Sequence, residues 1–313
     1  MAEPMSYKDL RQEILQLYRQ GRLAAALELI ERHAAELPER FGIITFWRMC
    51  LLSLCGRAGD VLEAFRQALD QGMWWHERSF LDPDLDAVRD LPEFKRLAAI
   101  SHQKYLAARA DMRPERRLLT PEELSKPVPL LIFLHGRNAN AETDVARWEP
   151  AREAGWMVLL PQSSQPLSPY AFCWDDPNQG LADIEFHYEE IARNYAIDTG
   201  HVVLAGFSQG SGMALLAALS GKTPARGFIG IGTWWQSVDE IAASASEKRD
   251  VRAYFIIGEK DQALQRSHEI ENALRLGHVP VAEETHPDIG HEFPVDFETS
   301  FQRAIAFLFE EAE

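Results

Sequence analysis

The clearest structural signal in the chain is the stretch His201-Val202-Val203-Leu204-Ala205-Gly206-Phe207-Ser208-Gln209-Gly210. Its first five residues form an apolar run typical of a strand, and the small-residue sequence that follows it is typical of a helix. A serine on such a tight turn takes a strained backbone conformation, and only very small residues two positions away let strand and helix pack closely. Gly206 and Gly210 meet this need. The stretch therefore predicts a nucleophile elbow with Ser208 as its nucleophile.

Around this elbow, the chain from residue 128 onward alternates short apolar segments with amphipathic ones. This alternation predicts a mostly parallel sheet covered by helices on both faces, which is the α/β class. We expect strands at 129–134, 156–160, 201–205, 227–231, 251–257 and 279–283, and helices at about 180–196, 209–220, 237–246, 262–276 and 295–311.

The chain before residue 110 has apolar residues at helical spacing and no convincing alternating run, so it predicts a stack of helices. Segments 18–27 and 55–65 look like two copies of one unit, with Gly21 aligned to Gly59 at a repeat of 38 residues. This unit resembles the tetratricopeptide repeat, whose usual period is about 34 residues. A generic helical cap is the alternative.

These patterns divide the chain into three predicted parts. A helical domain covers residues 1–110, a linker covers 111–127, and an α/β-hydrolase catalytic domain covers 128–313. The charged linker could instead contain a short edge hairpin, and residues 163–180 could form a lid.

The net charge of −16 is unevenly distributed along the chain. Residues 1–127 contribute −1 and residues 128–313 contribute −15, so the acidic part is the part that contains Ser208. Such a field disfavours nucleic acids and anionic membranes as partners, although acidity that only maintains solubility explains it equally well. Because no apolar run reaches the length of a membrane span and Met1–Ser6 lacks the order of a signal peptide, we expect a cytoplasmic protein.

The cysteines give no sign of a metal site or a disulfide framework. Cys50, Cys55 and Cys173 lack metal-binding spacing, and their number is odd. We expect buried thiols and no bound metal.

A serine nucleophile needs a histidine to accept its proton and a carboxylate to orient that histidine. In an α/β-hydrolase both follow the serine, in the order acid then histidine. Asp261 lies just beyond the predicted strand 251–257, where functional groups of open α/β sheets gather. Glu259 is a nearby rival, and a simple N-cap is the alternative role for Asp261.

Four histidines could act as the base, namely His268, His278, His286 and His291. His268 falls within a predicted helix and His278 precedes a strand. His286 and His291 follow the last strand, but only His291 lies in a Gly-His turn directly before the terminal helix. We therefore predict that His291 is the base.

An oxyanion hole requires one N–H from the residue after the nucleophile and one from the loop after an earlier strand. Gln209 supplies the first. The second donor is expected to be the backbone N–H of Arg137, because Gly136 allows close backbone approach there.

These elements resemble the phospholipase/carboxylesterase family of small α/β-hydrolases, which includes the acyl-protein thioesterases. The resemblance rests on Leu134-His135-Gly136, on Gly206-Phe207-Ser208-Gln209-Gly210, on Gly258 to Asp261 and on Gly290-His291. It implies an enzyme without a cofactor that hydrolyses small-molecule esters or thioesters through an acyl-enzyme. The loop from Arg137 departs from the family, in which it is usually rich in glycine.

The substrate-binding residues are predicted from their position after strand ends. Tyr170, Trp174 and Trp234 could form apolar pocket walls, with core packing as an equal alternative. Asp175 and Asp176 could meet a cationic group, but solvated surface is the preferred interpretation.

Two other functions remain open at this point. A serine peptidase or amidase could use the same residues. Alternatively, the protein could be an adaptor with a vestigial hydrolase domain, in which the helical domain binds a protein partner. The helical domain could also restrict substrate entry or mediate self-association.

Overall fold

The computed structural model describes residues 5–124, 126–246 and 250–310. Part of the amino-terminal stretch used for the localisation prediction, and residue 311 of the last predicted helix, lie outside these ranges. The chain forms two compact units. The helical unit consists of Met1–Met112 with Pro166–Tyr170, and the α/β unit consists of Arg113–Gln165 with Ala171–Glu313.

The helical unit contains two helix pairs followed by a short and a long helix. Its α-helices are α1 Tyr7–Arg19, α2 Leu23–His33, α3 Phe41–Leu54, α4 Ala58–Asp70, α5 Asp86–Arg89 and α6 Pro92–Asp111. The proline at the first position of α6 has no N–H to leave unpaired there, and its fixed φ suits a helix start. Aromatic rings pack together within its core, with the ring of Phe65 5.1 Å from that of Phe80 and 5.4 Å from that of Phe94.

The turns within the two helix pairs correct the predicted repeat. Gly21 has φ +69° and Gly56 has φ +73°, and each lies two residues before the next helix. The N–H of Arg22 donates to Leu17 O, and that of Arg57 donates to Leu52 O in the equivalent position. Gly21 is therefore equivalent to Gly56 and not to Gly59, and the spacing is 35 residues rather than 38. The alignment failed because it matched glycines by sequence, whereas only Gly56 takes the left-handed conformation that a C-cap requires.

The strands along the chain are β1 Arg116–Leu119, β2 Val128–Leu134, β3 Met157–Pro161, β4 Pro166–Ser168, β5 Ala171–Phe172, β6 Ile197–Phe207, β7 Gly227–Ile231, β8 Arg252–Gly258 and β9 Val281–His286. Within the described residues, seven of them form a sheet in the order β1-β3-β2-β6-β7-β8-β9. All neighbours in this sheet are parallel except β1, which pairs antiparallel with β3. β1 lies inside the predicted linker, which therefore contains an edge strand.

Helices cover both faces of the sheet, as the sequence predicts. They are α7 Glu149–Glu153, α8 Pro177–Asn194, α9 Gln209–Ser220, α10 Val238–Ala245, α11 Leu264–Leu276 and α12 Phe297–Leu308. Successive residues of β2 belong to different cores, because side chains of a strand alternate between faces. Leu130 and Ile132 pack in one buried cluster with α8 to α11, whereas Leu131 and Phe133 pack in the other with α12. Among the helices in the described ranges, none has both the length and the apolar character needed to cross a membrane.

Candidate active site

The elbow joins the end of β6 to the start of α9. Ser208 has φ +55° and ψ −123°, a conformation that non-glycine residues adopt only when their surroundings enforce it. A Cβ on Gly206 would lie 2.5 Å from the backbone of Gly210, and a Cβ on Gly210 would lie 2.2 Å from His135 O. Both glycines are therefore required by the close packing of strand, helix and neighbouring loop.

Ser208, His291 and Asp261 form a continuous chain of hydrogen bonds. His291 Nε2 lies 2.8 Å from Ser208 Oγ. On the other side of the ring, His291 Nδ1 lies 2.8 Å from Asp261 Oδ1 and 2.9 Å from Asp261 Oδ2. Because a carboxylate only accepts, we assign the ring proton to Nδ1, which leaves Nε2 to accept the hydroxyl proton of Ser208. The structure thus brings together the three residues predicted for catalysis.

Asp261 is held by the backbone around it. Its side chain is 1% exposed, and its Oδ1 also accepts the N–H of Ala263 at 2.7 Å. The loop that carries Asp261 is linked to the loop that carries His291, because Lys260 N donates to Ile289 O at 2.9 Å. A Cβ on Gly258 would lie 2.1 Å from that same carbonyl oxygen. Asp261 and His291 are therefore fixed relative to each other by closely packed main chain.

The other candidate bases have different surroundings. His268 Nε2 lies 3.3 Å from Glu283, and His286 Nε2 lies 3.0 Å from Glu284. His278 has φ +60° and lies two residues beyond the end of α11. Of the four candidates, the structure places His291 beside Ser208.

Aromatic rings pack against the catalytic histidine candidate. The ring of Phe207 lies 4.8 Å from that of His291 and stacks on Phe293 at 5.1 Å. The guanidinium of Arg147 lies 4.4 Å from the centre of the Phe293 ring. This packing limits rotation of His291 away from Ser208.

The backbone after β2 is arranged to present an N–H group. The carbonyl oxygen of Gly136 lies 2.9 Å from His135 Nδ1 and accepts the N–H of Ala139 at 3.2 Å. In a planar trans peptide the N–H points opposite to the C=O, so fixing this carbonyl also fixes the direction of the Arg137 N–H. No acceptor for that N–H occurs among the described residues. The N–H of Gln209 is in the first turn of α9, where helices leave their donors without intrahelical partners.

His135 is a buried structural residue of this loop. Burial lowers its pKa to about 4, and its contact with the Gly136 carbonyl only partly opposes that effect. Its Nε2 accepts the N–H of Ser163 at 3.4 Å, so the neutral ring carries its proton on Nδ1 and donates to Gly136 O. Because His135 stays neutral, its hydrogen bond to the Gly136 carbonyl is unchanged across the pH range in which His291 would act as a base.

The three predicted substrate residues lie in different environments. Trp174 is 0% exposed, and its indole N–H donates to His135 O at 2.9 Å, so its ring belongs to the core below the loop. Trp234 is 37% exposed, and its backbone N–H donates to Ser208 O at 3.3 Å. Tyr170 is exposed and belongs to the segment Pro166–Tyr170 of the helical unit. Trp174 therefore has the core-packing role that was its alternative, while the part of Tyr170 and Trp234 in substrate binding stays a prediction.

The interpretation of the two aspartates after Trp174 as solvated surface is confirmed for Asp176 and wrong for Asp175. Asp176 is exposed and caps α8, accepting the N–H groups of Asn178 and Gln179. The side chain of Asp175, in contrast, is 19% exposed and is bonded to Arg137 and Gln209. In the sequence, Asp175 is marked only by its position between Trp174 and Asp176. That position does not indicate that Arg137 and Gln209 are its partners.

Comparison with known families supports this assignment of the fold. Residues 181–308 match the family described as phospholipase/carboxylesterase, and residues 6–109 match a domain described as A/B hydrolase-like, N-terminal. The tetratricopeptide-like interpretation of the helical region stays a prediction. Among curated proteins, none matches this chain.

Solved structures share the fold at low sequence identity. An uncharacterized protein from Bacillus cereus ATCC 10987 is 22% identical, with a TM-score of 0.56 over 98% of this chain and 100% of that one. Esterase PE8 is 18% identical, with a TM-score of 0.51 over 62% of this chain and 100% of its own. The fluorophosphonate-binding serine hydrolase F of Staphylococcus aureus is 17% identical, with a TM-score of 0.51 over 64% of this chain and 94% of its own. The chain is thus similar to the phospholipase/carboxylesterase family over residues 181–308 and to the A/B hydrolase-like, N-terminal domain over residues 6–109.

Proposed function

We propose that this protein is a serine esterase or thioesterase that cleaves small-molecule substrates through an acyl-enzyme and needs no cofactor. Ser208 is the nucleophile, His291 is the general base, and Asp261 orients His291. The observation that carries the proposal is the unbroken contact from Ser208 Oγ through His291 to Asp261, at 2.8 Å on each side of the ring.

The first half of the reaction follows from this arrangement. As Ser208 Oγ attacks the acyl carbon, its proton passes to His291 Nε2, and Asp261 stabilises the imidazolium that forms. The carbonyl oxygen of the substrate becomes an oxyanion, which the N–H groups of Arg137 and Gln209 stabilise. The tetrahedral intermediate then collapses, His291 returns its proton to the leaving alkoxide or thiolate, and an ester of Ser208 remains.

Water completes the cycle. His291 removes a proton from the water that attacks the acyl-enzyme, a second oxyanion forms at the same N–H groups, and Ser208 leaves with the proton from His291. Trp234 is the proposed wall of the substrate site, because its backbone is bonded to Ser208 and its side chain is accessible.

The first experiment is hydrolysis of p-nitrophenyl esters from acetate to palmitate by the wild type and by Ser208→Ala. We expect the wild type to turn over part of this series and the variant to lose about 10⁴- to 10⁶-fold in kcat. The acyl length that is hydrolysed fastest measures the depth of the site. Ser220→Ala, at the far end of α9, is the matched serine control and should retain wild-type turnover.

The same proteins separate the alternatives. Anilides with the same acyl groups, hydrolysed faster than the esters, would replace the esterase with an amidase. Failure of a fluorophosphonate probe to label Ser208 in folded protein, together with no turnover of any ester, thioester or anilide, would contradict the enzyme and favour the adaptor.

A further inference from the structure

A single carboxylate connects the two sides of the proposed oxyanion hole. Asp175 Oδ1 accepts a hydrogen bond from the guanidinium of Arg137 and another, at 2.8 Å, from Gln209 Nε2. Arg137 and Gln209 are the residues whose backbone N–H groups would bind the oxyanion. One belongs to the loop after β2 and the other to the first turn of α9, so no regular secondary structure links them directly.

Both polar atoms of the Gln209 side chain are used. Its Oε1 accepts the backbone N–H of Trp174 at 3.0 Å, while its Nε2 donates to Asp175. Gln209 is 3% exposed. The buried side-chain amide of Gln209 is thus bonded to two adjacent residues, and it holds residues 174–175 against the start of α9.

The surroundings of Asp175 favour its ionised form. Burial acts to raise the pKa of Asp175, but the hydrogen bond from Gln209 and the positive charge of Arg137 outweigh it, and the pKa is lowered. Asp175 therefore stays ionised at neutral pH. A charged acceptor makes both hydrogen bonds stronger than a neutral one would.

We propose that Asp175 is a positioning residue of the oxyanion hole. By holding the side chains of Arg137 and Gln209 on one oxygen atom, it sets the distance between their backbone N–H groups. This inference rests on the proposed function. It identifies the residue that keeps the N–H groups of Arg137 and Gln209 at the separation that a tetrahedral intermediate requires.

The test compares Asp175→Ala with Asp176→Asn. Asp176 is the adjacent acid and serves as the N-cap of α8, a role that asparagine fills equally well. Because a displacement of about 1 Å at a reacting centre can cost about 100-fold, we expect Asp175→Ala to lower kcat for the preferred ester about 10- to 100-fold. We expect KM to change by less than about 3-fold, since the lost interaction acts on the transition state. Asp176→Asn should match the wild type in both constants.

A second readout reports on the oxyanion hole itself. An alkyl boronic acid forms a tetrahedral adduct on Ser208, whereas the product carboxylic acid binds without one. Asp175→Ala should weaken boronic acid binding by the same factor as kcat and leave binding of the product acid unchanged. Equal weakening of both ligands, or a kcat within about 2-fold of the wild type, would overturn the proposal.

Two further variants keep the test decisive. Asp175→Asn retains an acceptor oxygen of the same shape and should recover part of the kcat lost in Asp175→Ala, so it serves if the alanine variant does not fold. Gln209→Met keeps the backbone N–H but removes the bond to Asp175. Since the two residues are proposed to act together, Asp175→Ala should cost much less in the Gln209→Met background than in the wild type, and full additivity would contradict the proposal.

The outcomes distinguish this inference from the proposed function. If the wild type has no activity and Ser208 does not react with a fluorophosphonate, the proposed function fails. If the wild type is active, Ser208→Ala is inactive and Asp175→Ala is unaffected, only the role of Asp175 fails.

Discussion

Among the histidine–carboxylate contacts of the α/β unit, the clusters around His291 and His268 differ in what supports them. In the first, His291 contacts Asp261 on one side and Ser208 on the other. In the second, His268 contacts Glu283. A ring nitrogen of His268 and a carboxylate oxygen of each of Glu271 and Glu283 lie within 4.8 Å of one another. Of these two pairs, the first contacts the hydroxyl of Ser208, whereas the second contacts another carboxylate.

The carboxylates of the two clusters are stabilised to different extents. Asp261 is buried but receives the ring N–H of His291 and the N–H of Ala263. Glu271 is 0% exposed, and although Arg275 bonds one of its oxygens at 3.1 Å, the other has no hydrogen-bond partner within the described part of the chain. Burial, reinforced by the charge of Glu283, raises the pKa of Glu271 to about 8. The comparison shows that burial with too few hydrogen-bond donors favours the protonated form of Glu271.

Replacing the two histidines in turn tests the comparison most strongly. His291→Ala removes the proposed base, and we expect kcat to fall about 10⁴- to 10⁶-fold. His268→Ala removes a half-exposed histidine of the second cluster and should leave kcat unchanged. Steady-state kinetics on the preferred p-nitrophenyl ester measures both effects. A comparable loss of kcat in the two variants would show that the clusters had been assigned the wrong roles.

The second cluster should affect stability rather than catalysis. Because the folded-state pKa of Glu271 lies above its ordinary value of 4.5, the unfolded chain releases this proton first as the pH rises. The free energy of unfolding should therefore decrease between about pH 4.5 and pH 8.

Glu271→Gln mimics the protonated acid, so it removes the decrease in the free energy of unfolding as the pH rises. We expect the variant to be more stable than the wild type by about 2–4 kcal/mol at pH 8 and by much less near pH 4.5. Urea unfolding at the two pH values measures the difference. A stability gain that is the same at both values would contradict the pKa assigned to Glu271, and unchanged kcat in the variant provides the control for the active site.

The sequence predicts the α/β fold well because its strongest signals are local. Six predicted strands correspond to strands of the sheet, and all except the last, β9, are short apolar runs. The elbow is equally local, because Gly206, Ser208 and Gly210 are close in sequence and their packing follows from their size. Asp261 and His291 could be selected because the ends of parallel strands meet at one edge of a sheet.

The remaining features depend on contacts between distant residues. Asp175 lies 34 residues from Gln209 and 38 from Arg137, and nothing in its local sequence distinguishes it from the exposed Asp176. The repeat register in the helical unit was missed because it depends on which glycine has a positive φ. Sequence patterns give the periodicity of an element but not the partner that a polar side chain meets after folding.

The smallest expected effect concerns the space around the first cluster. Gly232 has φ +54°, and a Cβ there would lie 2.9 Å from Asp261 Oδ2 and 3.1 Å from His291 Nδ1. Gly232→Ala should push these two groups apart and lower kcat about 10-fold, with little change in KM. It should also cost about 1–2 kcal/mol of stability, because alanine is strained in a left-handed conformation.

Gly155→Ala separates these two consequences. Gly155 has φ +92°, but a Cβ there would contact no atom within 4 Å. The control should therefore lose similar stability and keep the wild-type kcat. If both variants lost kcat equally, the loss would come from backbone strain and not from the Asp261–His291 contact. A loss confined to Gly232→Ala would instead show that the first cluster works only when acid and base are held at their observed separation, a constraint that the open surroundings of His268 do not impose.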